Sequence, residues 1–139
     1  MIALLLVSHS YQVAQGVRQL AAQMAPPELS ILAVGGLPEG DGYVLGCDAA
    51  AIAAALETVW TPAGVLILAD LGSSILSAET ALELVPPHMA ETCWISNAPL
   101  VEGGIIAAVE AGLGHALADV NRAAEAAAHL IKINRACGP

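Results

Sequence analysis

The residue with the clearest chemical potential in this sequence is His9, which follows a run of apolar residues at the amino terminus. Residues 2–7 have no polar face, which is typical of a strand covered on both sides in a parallel sheet. Loops and helix amino termini converge where such strands end, so reacting groups gather there. A histidine at this position can be a general base, a metal ligand, a nucleophile or an ordinary loop residue.

A second polar group follows another apolar run at residues 64–69, where Asp70 comes directly after the predicted strand. Three small residues then begin a predicted helix: Gly72, Ser73 and Ser74. If the two strands are neighbours, Asp70 can accept a hydrogen bond from one ring nitrogen of His9 and leave the other nitrogen with a free lone pair. Such a histidine is a nucleophile toward phosphorus, and the free amides of a helix start suit a phosphoryl group on it.

Each of these residues also has an ordinary structural role available to it. Asp70 could cap the helix that follows, and Gly35, Gly36 and Gly72 could be plain turn residues. Together they are harder to dismiss, because three predicted strand ends bring them to one edge of the sheet. We therefore predict His9 and Asp70 as the catalytic pair. The predicted lining of the phosphoryl site is Ser10, Gly36, Gly72, Ser73 and Ser74.

The order of apolar segments predicts the fold class. Strands are predicted at 2–7, 29–34, 64–69 and 92–95, and helices at 10–24, 49–59, 74–85, 101–111 and 117–135. Residues 37–46, which are rich in glycine and acidic residues, are predicted to form a long loop. Strands that alternate with helices indicate an α/β fold with right-handed crossovers. We expect a three-layer, doubly wound, mainly parallel sheet of order 2-1-3-4, flavodoxin-like, with residues 1–139 as one domain.

Composition narrows the possible functions. Four basic residues stand against thirteen acidic ones, so binding to nucleic acid or to an anionic membrane is not expected. No apolar stretch is long enough to cross a bilayer and no signal peptide is evident, so we expect a cytoplasmic location. Three widely spaced cysteines, Cys47, Cys93 and Cys137, are predicted to be free thiols without zinc. His88, His115 and His129 are interpreted as surface or packing residues.

Several motifs resemble the mannose-type IIA domains of the phosphoenolpyruvate-dependent phosphotransferase system. They are Val7-Ser-His-Ser10, Ala14-x-Gly16, Gly35-Gly36, Gly46-Cys-Asp-Ala49 and residues 70–83 and 98–103. The last two segments favour the branch of the family that serves dihydroxyacetone kinases over the sugar-transporting members. The resemblance covers the chain from Met1 to about Gly114. The sequence departs from the family pattern at Cys47, where a threonine is expected.

The resemblance implies a phosphotransfer relay. The carrier protein HPr would phosphorylate His9 on its tele nitrogen, while Asp70 supports the ring. His9 would pass the phosphoryl group to ADP bound to the subunit DhaL, for phosphorylation of dihydroxyacetone on DhaK. The resemblance also implies an EIIA-like fold, a homodimer, and no metal or cofactor on this chain. Many relatives carry additional HPr-like and enzyme-I-like domains, so separate carriers are expected here.

Three other functions remain open at this point. The chain could be the IIA component of a mannose-family sugar transporter that passes phosphate to a IIB domain. It could be a regulator whose partner affinity changes when His9 is phosphorylated, or a ligand-binding domain in which His9 is dispensable. A relay would need a flat, partly apolar rim around an exposed histidine. Four residues near the predicted strand ends are expected to form it: Leu37, Leu71, Ile75 and Leu100.

Overall fold

The computed structural model describes residues 1–136. The strands are β1 (Ala3–Ser8), β2 (Ile31–Gly35), β3 (Leu37–Glu39), β4 (Gly42–Val44), β5 (Val65–Ala69) and β6 (Cys93–Ile95). The helices are α1 (Tyr11–Gln23), α2 (Ala49–Val59), α3 (Gly72–Leu84), α4 (Pro87–Ala90), α5 (Leu100–Gly112) and α6 (Leu117–Ala126). Strands β2, β1, β5 and β6 form a parallel sheet in that order. Strands β5 and β6 are the third and fourth of the predicted strands, so the predicted order 2-1-3-4 is confirmed.

The central strand β1 fixes the position of the two residues expected to react. All six of its residues are buried, because neighbouring strands and both helical layers cover them. Its register places Ser8 opposite Gly35 of β2 and Val7 opposite Ala69 of β5. The residues that directly follow these strands therefore leave the sheet at the same edge, and His9 and Asp70 are among them.

Helices cover both faces of the sheet, which gives the expected three layers. One core layer packs α1, α5 and α6 against the sheet, and its members include Leu4, Leu6, Val17, Ala107 and Val120. The other packs α2 and α3, with Leu5, Val7, Ile52, Leu56 and Ala78. Many of the helical core residues are alanines, so the helices lie close to the strands.

The structure differs from the predictions at three segments. Residues 87–90, where no helix was predicted, form the short helix α4. Residues 37–44, predicted as part of a loop, form an antiparallel hairpin of β3 and β4. The last helix ends at Ala126 and a 3₁₀ turn at Ala127–His129, rather than continuing to residue 135. Ile131, within the range predicted as helix, is 80% exposed. The stability of a helix depends on burial of its apolar face. The residues described after Ala127 do not pack against the core, so the helix is not stabilised there.

Other features of the chain follow from local rules. Asp48 caps α2, since its side chain accepts a hydrogen bond from the amide of Ala50 at 3.0 Å. Cys47 and Cys93 are free thiols, whereas the predicted thiol at position 137 lies outside the described residues.

Over residues 1–136, no helix combines the length and apolar character required to cross a bilayer.

Close packing at Gly35 provides a test of this arrangement. A Cβ atom at Gly35 would lie 2.6 Å from the carbonyl oxygen of Ser10 and 2.9 Å from that of Ser8. We expect Gly35→Ala to lower the free energy of unfolding by about 2 kcal/mol, because the contacts are with backbone. Gly72→Ala is the matched control, since no atom lies within 4 Å of the added carbon. Urea unfolding that gives the two variants equal stability would contradict the register described.

Candidate active site

His9 lies in the turn between β1 and α1, and its backbone is held on two sides. Its amide donates to Oδ2 of Asp70 at 3.0 Å, and its carbonyl accepts from the amide of Gly46 at 2.8 Å. The next residue, Ser10, begins α1 as its cap, with its hydroxyl oxygen accepting from the amide of Val13 at 3.3 Å. The side chain of His9 is consequently directed to the open edge of the sheet, where 23% of its surface is exposed.

The two ring nitrogens of His9 have different partners. Nδ1 lies 2.9 Å from Oδ1 of Asp70, and Nε2 contacts the hydroxyl of Ser73. A carboxylate can only accept, so Nδ1 carries the hydrogen in this pair and Nε2 holds the lone pair. The Ser73 hydroxyl then donates to Nε2. The His9 nitrogen that holds the lone pair therefore faces the amino terminus of α3.

The Asp70 carboxylate is surrounded by hydrogen-bond donors. Oδ2 accepts from the Ser8 hydroxyl at 2.7 Å, and Oδ1 accepts from the Leu71 amide at 2.7 Å and the Ser74 hydroxyl at 2.8 Å. Burial by itself would raise the pKa of this carboxyl. Hydrogen bonds from Ser8, the His9 amide, Ser74 and Leu71 outweigh it and lower the pKa from 3.8 to about 2. Asp70 is thus an anion at neutral pH.

The start of α3 supplies further donors beside His9. Leu71 is the cap of this helix, and Gly72 and Ser73 are its first two residues. Within residues 1–136, no group accepts a hydrogen bond from the amide of Gly72 or Ser73. Free amides and the positive end of the helix dipole attract an anion bound at Nε2 of His9. Asp70, which might have been only a helix cap, lies one residue before the cap and faces the histidine.

The other residues predicted to line the site have different surroundings. Ser74 is fully buried and bonds to Asp70, so it orients the carboxylate instead of facing solvent. The hydroxyl oxygen of Ser10 is occupied in capping α1. Gly36 follows β2 with φ +74°, a left-handed conformation that favours glycine, and lies against Tyr11 and Tyr43.

Ser8 is a site residue that was absent from the predicted set. It is fully buried at the end of an otherwise apolar strand, and its hydroxyl donates to Asp70 at 2.7 Å and accepts from the Ser10 amide at 3.0 Å. A polar side chain in a strand buried on both faces needs a partner, and that requirement was the available signal.

Cys47, which departs from the family pattern, contacts the backbone of the same strand. Its thiol donates to the carbonyl oxygen of Ser8 at 3.4 Å. Burial, and secondly the negative charge of Asp70, raise the pKa of this thiol, so it is protonated at neutral pH. Cys47 thus holds the segment after the hairpin against β1.

The predicted apolar rim is only partly correct. Leu71 is 67% exposed, and Leu37 and Ile75 are partly buried. Leu100, however, is buried at 7% exposure, because it begins α5 and packs into the core layer shared with α1. The exposed apolar residue that replaces it near His9 is Leu45, at 75% exposure.

The remaining histidines have surface or packing contacts, as interpreted from the sequence. His88 packs edge-on against Trp60, with ring centroids 5.4 Å apart. Nδ1 of His115 lies 2.5 Å from Oε2 of Glu110, and His129 is exposed. Glu102 lies in the first turn of α5, where a negative charge is favourable to the helix dipole.

Protonation of Asp70 should weaken the fold. Its lowered pKa, about 2 against 3.8, gives a stabilising contribution that is complete above about pH 4 and is lost as pH falls toward 2. Allowing for solvent access, this contribution is about 1–2 kcal/mol. Asp70→Asn should lower the free energy of unfolding by at least that amount at pH 7 and by less at pH 3, measured by urea unfolding.

The control for this prediction is Asp48→Asn, because asparagine caps a helix as well as aspartate does. It should change stability little at either pH. A loss in the Asp70 variant that is the same at pH 7 and pH 3 would contradict an ionised carboxylate as the source of the stabilisation.

The chain is similar to one known family and to several named proteins. The sequence profile of the EIIA-man family, described as "PTS system fructose IIA component", matches residues 3–121. The DhaM protein of Escherichia coli (strain K12), named as the phosphoryl donor subunit of PEP-dependent dihydroxyacetone kinase, is 37% identical over 135 residues, which are 97% of this chain and 28% of that protein. The DhaM protein of Providencia stuartii (strain MRSN 2154) is 37% identical over 127 residues, with 27% of its length covered. The chain thus spans about a quarter of the length of these relatives.

A relative of similar size and two solved structures are also similar to this chain. DhaM of dihydroxyacetone kinase 2 from Listeria innocua serovar 6a is 42% identical over 110 residues, covering 79% of this chain and 86% of that protein. The crystal structure of the unknown function protein EF1359 superposes with a TM-score of 0.76 at 33% identity, over 89% of this chain and 92% of that one. A DegV family protein from Corynebacterium glutamicum, with TM-score 0.59 and 18% identity over 88% of this chain and 47% of that one, shares the fold alone. From its sequence profile and these relatives, the chain belongs to the EIIA-man family of phosphotransferase-system IIA components.

Proposed function

We propose that this protein is the phosphocarrier subunit of a phosphoenolpyruvate-dependent dihydroxyacetone kinase. It accepts a phosphoryl group from phospho-HPr on His9 and transfers it to ADP bound to DhaL, for phosphorylation of dihydroxyacetone on DhaK. The observation that carries this proposal is the orientation of the His9 ring. Its Nδ1 contacts the Asp70 carboxylate, and its Nε2 faces Ser73. The names of the DhaM relatives support the choice of acceptor.

In the first transfer, the lone pair of Nε2 attacks the phosphorus of the donor phosphohistidine. A bond forms between phosphorus and Nε2, and the bond between phosphorus and the donor nitrogen breaks, so the donor imidazole leaves with that electron pair. No proton has to leave His9, because its hydrogen stays on Nδ1. The ring becomes positively charged, and the Asp70 carboxylate 2.9 Å away stabilises that charge.

In the phosphorylated state, the oxygens of the phosphoryl group need donors. Attachment of phosphorus uses the Nε2 lone pair, which releases the Ser73 hydroxyl to turn and donate to a phosphoryl oxygen. The amides of Gly72 and Ser73 and the dipole of α3 add to this stabilisation. The site is an open edge of the sheet, so an incoming protein can approach the phosphorus in line with the bond that will break.

In the second transfer, a β-phosphate oxygen of ADP attacks the phosphorus. The bond between phosphorus and Nε2 breaks, its electron pair returns to the ring, and ATP forms on the acceptor. His9 is left neutral with its hydrogen still on Nδ1, so it is ready for another cycle. The protein supplies position and electrostatic stabilisation in both steps, and Asp70 does not need to accept a proton in either.

A sugar-transporting IIA component is the alternative that one observation favours. The family profile is described as a fructose IIA component, and such a component would pass phosphate from the same histidine to a IIB domain. The chemistry at His9 would be unchanged, because only the acceptor differs. The proposed function and this alternative are therefore separated by the acceptor that discharges His9.

The central test is reconstitution of the relay. We expect the purified protein, with phosphoenolpyruvate, enzyme I and HPr, to gain the mass of one acid-labile phosphoryl group, and to lose it when DhaL with ADP is added. DhaK and dihydroxyacetone should then give dihydroxyacetone phosphate. His9→Ala should reduce phosphorylation below detection, whereas the control His115→Ala should match the wild type. Phosphorylation without discharge by DhaL would favour the sugar-transport alternative, and a wild type that is never phosphorylated would contradict the proposal.

We further propose that the protein works as a cytoplasmic homodimer. Strand β6 is an edge of the sheet, and Trp94 on it is 42% exposed. Leu130, Ile131 and Ile133 after the last helix are also exposed, at 54%, 80% and 65%. A second copy that covers these apolar residues would remove them from water. Sedimentation equilibrium should give about twice the 14.0 kDa chain mass, and a monomer at all concentrations would contradict this proposal.

A further inference from the structure

The hairpin of β3 and β4 projects beside His9 and is fixed to the body of the protein at two places. The rings of Tyr43 on β4 and Tyr11 on α1 stack with centroids 3.9 Å apart and planes within 4°. Just after β4, the amide of Gly46 donates to the carbonyl oxygen of His9 at 2.8 Å. The hairpin is therefore held in one position relative to the reacting histidine.

Two exposed leucines lie next in sequence to residues that bond to His9. Leu45 precedes Gly46, which bonds to the His9 carbonyl, and Leu71 follows Asp70, which bonds to the His9 ring. Leu45 is 75% exposed and Leu71 is 67% exposed. Exposed leucines that flank a reactive group are typical of a protein contact surface, because contact removes their apolar area from water.

The hairpin also carries a charge pattern that limits its partner. Its two ionisable carboxylates, Glu39 and Asp41, are exposed at and near the tip. There is no lysine or arginine from residue 19 to residue 121, so the hairpin brings negative charge and no compensating cation of its own. A partner whose apolar patch is bordered by basic residues would complement this surface.

We propose that residues 37–45 and Leu71, here called the docking arm, bind the phosphohistidine donor protein during the first transfer. The proposal rests on the function proposed above. The occupant is a protein that presents its phosphohistidine from an apolar patch with basic residues at its edge. ADP on the acceptor carries more phosphate charge than one phosphohistidine, and Glu39 and Asp41 would repel it, so the arm suits the donor better than the acceptor. Leu45 is the specificity-determining contact, and Tyr11 and Tyr43 are positioning residues.

The test compares the two transfer steps in Leu45→Ser. With phospho-HPr as donor, we expect the KM for phosphorylation of the variant to rise about tenfold with kcat within twofold, because a central contact is lost before the reaction. The rate at which DhaL with ADP discharges the phosphorylated variant should stay within twofold of wild type. Leu113→Ser is the matched control, since Leu113 is exposed to a similar degree, 67% against 75% for Leu45. It caps the carboxyl end of α5, whereas the amino end of α5 follows β6 at the sheet edge that holds His9.

A second pair of variants tests the stack that holds the arm. Tyr43→Phe keeps the ring and should leave the KM unchanged, whereas Tyr43→Ala should raise it in the same way as Leu45→Ser. An unchanged KM in Leu45→Ser, or equal weakening of both transfer steps, would overturn the docking arm while leaving the relay intact. A wild type that is not phosphorylated at all would instead count against the proposed function.

Discussion

The hydrogen bond between Nδ1 of His9 and Oδ1 of Asp70 is the interaction on which the rest of the site depends. At 2.9 Å it fixes the orientation of the ring, assigns the hydrogen to Nδ1 and leaves the lone pair on Nε2. The bond exists because β1 and β5 are parallel neighbours, so that residues after them emerge at one edge. The continuous apolar character of both strands, buried on both faces, is what makes them neighbours in the centre of the sheet.

The surroundings of Asp70 keep this bond charged. Ser8, Ser74 and two backbone amides donate to the carboxylate, which lowers its pKa to about 2 despite partial burial. A carboxylate held in this way stabilises a positive charge on the neighbouring ring without taking its proton. The same donors fix the carboxylate in position, so Asp70 contributes both charge and geometry. The residues that create the site are therefore partly residues that never contact a phosphoryl group.

The fold and the proximity of His9 and Asp70 could be predicted from the sequence because both follow from local patterns. Apolar runs mark the four strands, and the strand order brings His9 and Asp70 together. The hairpin was missed because it depends on the stack of Tyr11 on Tyr43, which are 32 positions apart in the chain. The early end of α6 and the burial of Leu100 depend on where the core lies, which periodicity alone does not reveal. Ser8 and Ser74 both lie in the motifs quoted from the sequence, but their hydrogen bonds to the Asp70 carboxylate depend on the tertiary arrangement, which the motifs alone do not reveal.

The most direct measurement is the tautomer of His9 in the free protein. Nitrogen-15 NMR of the neutral ring, recorded at alkaline pH, distinguishes a protonated nitrogen from one with a lone pair. We expect Nδ1 to carry the hydrogen and Nε2 to be unprotonated in the wild type, with a mixture of tautomers in Asp70→Asn. A wild-type ring with its hydrogen on Nε2 would contradict the account, because the nitrogen that faces the start of α3 could not then attack phosphorus.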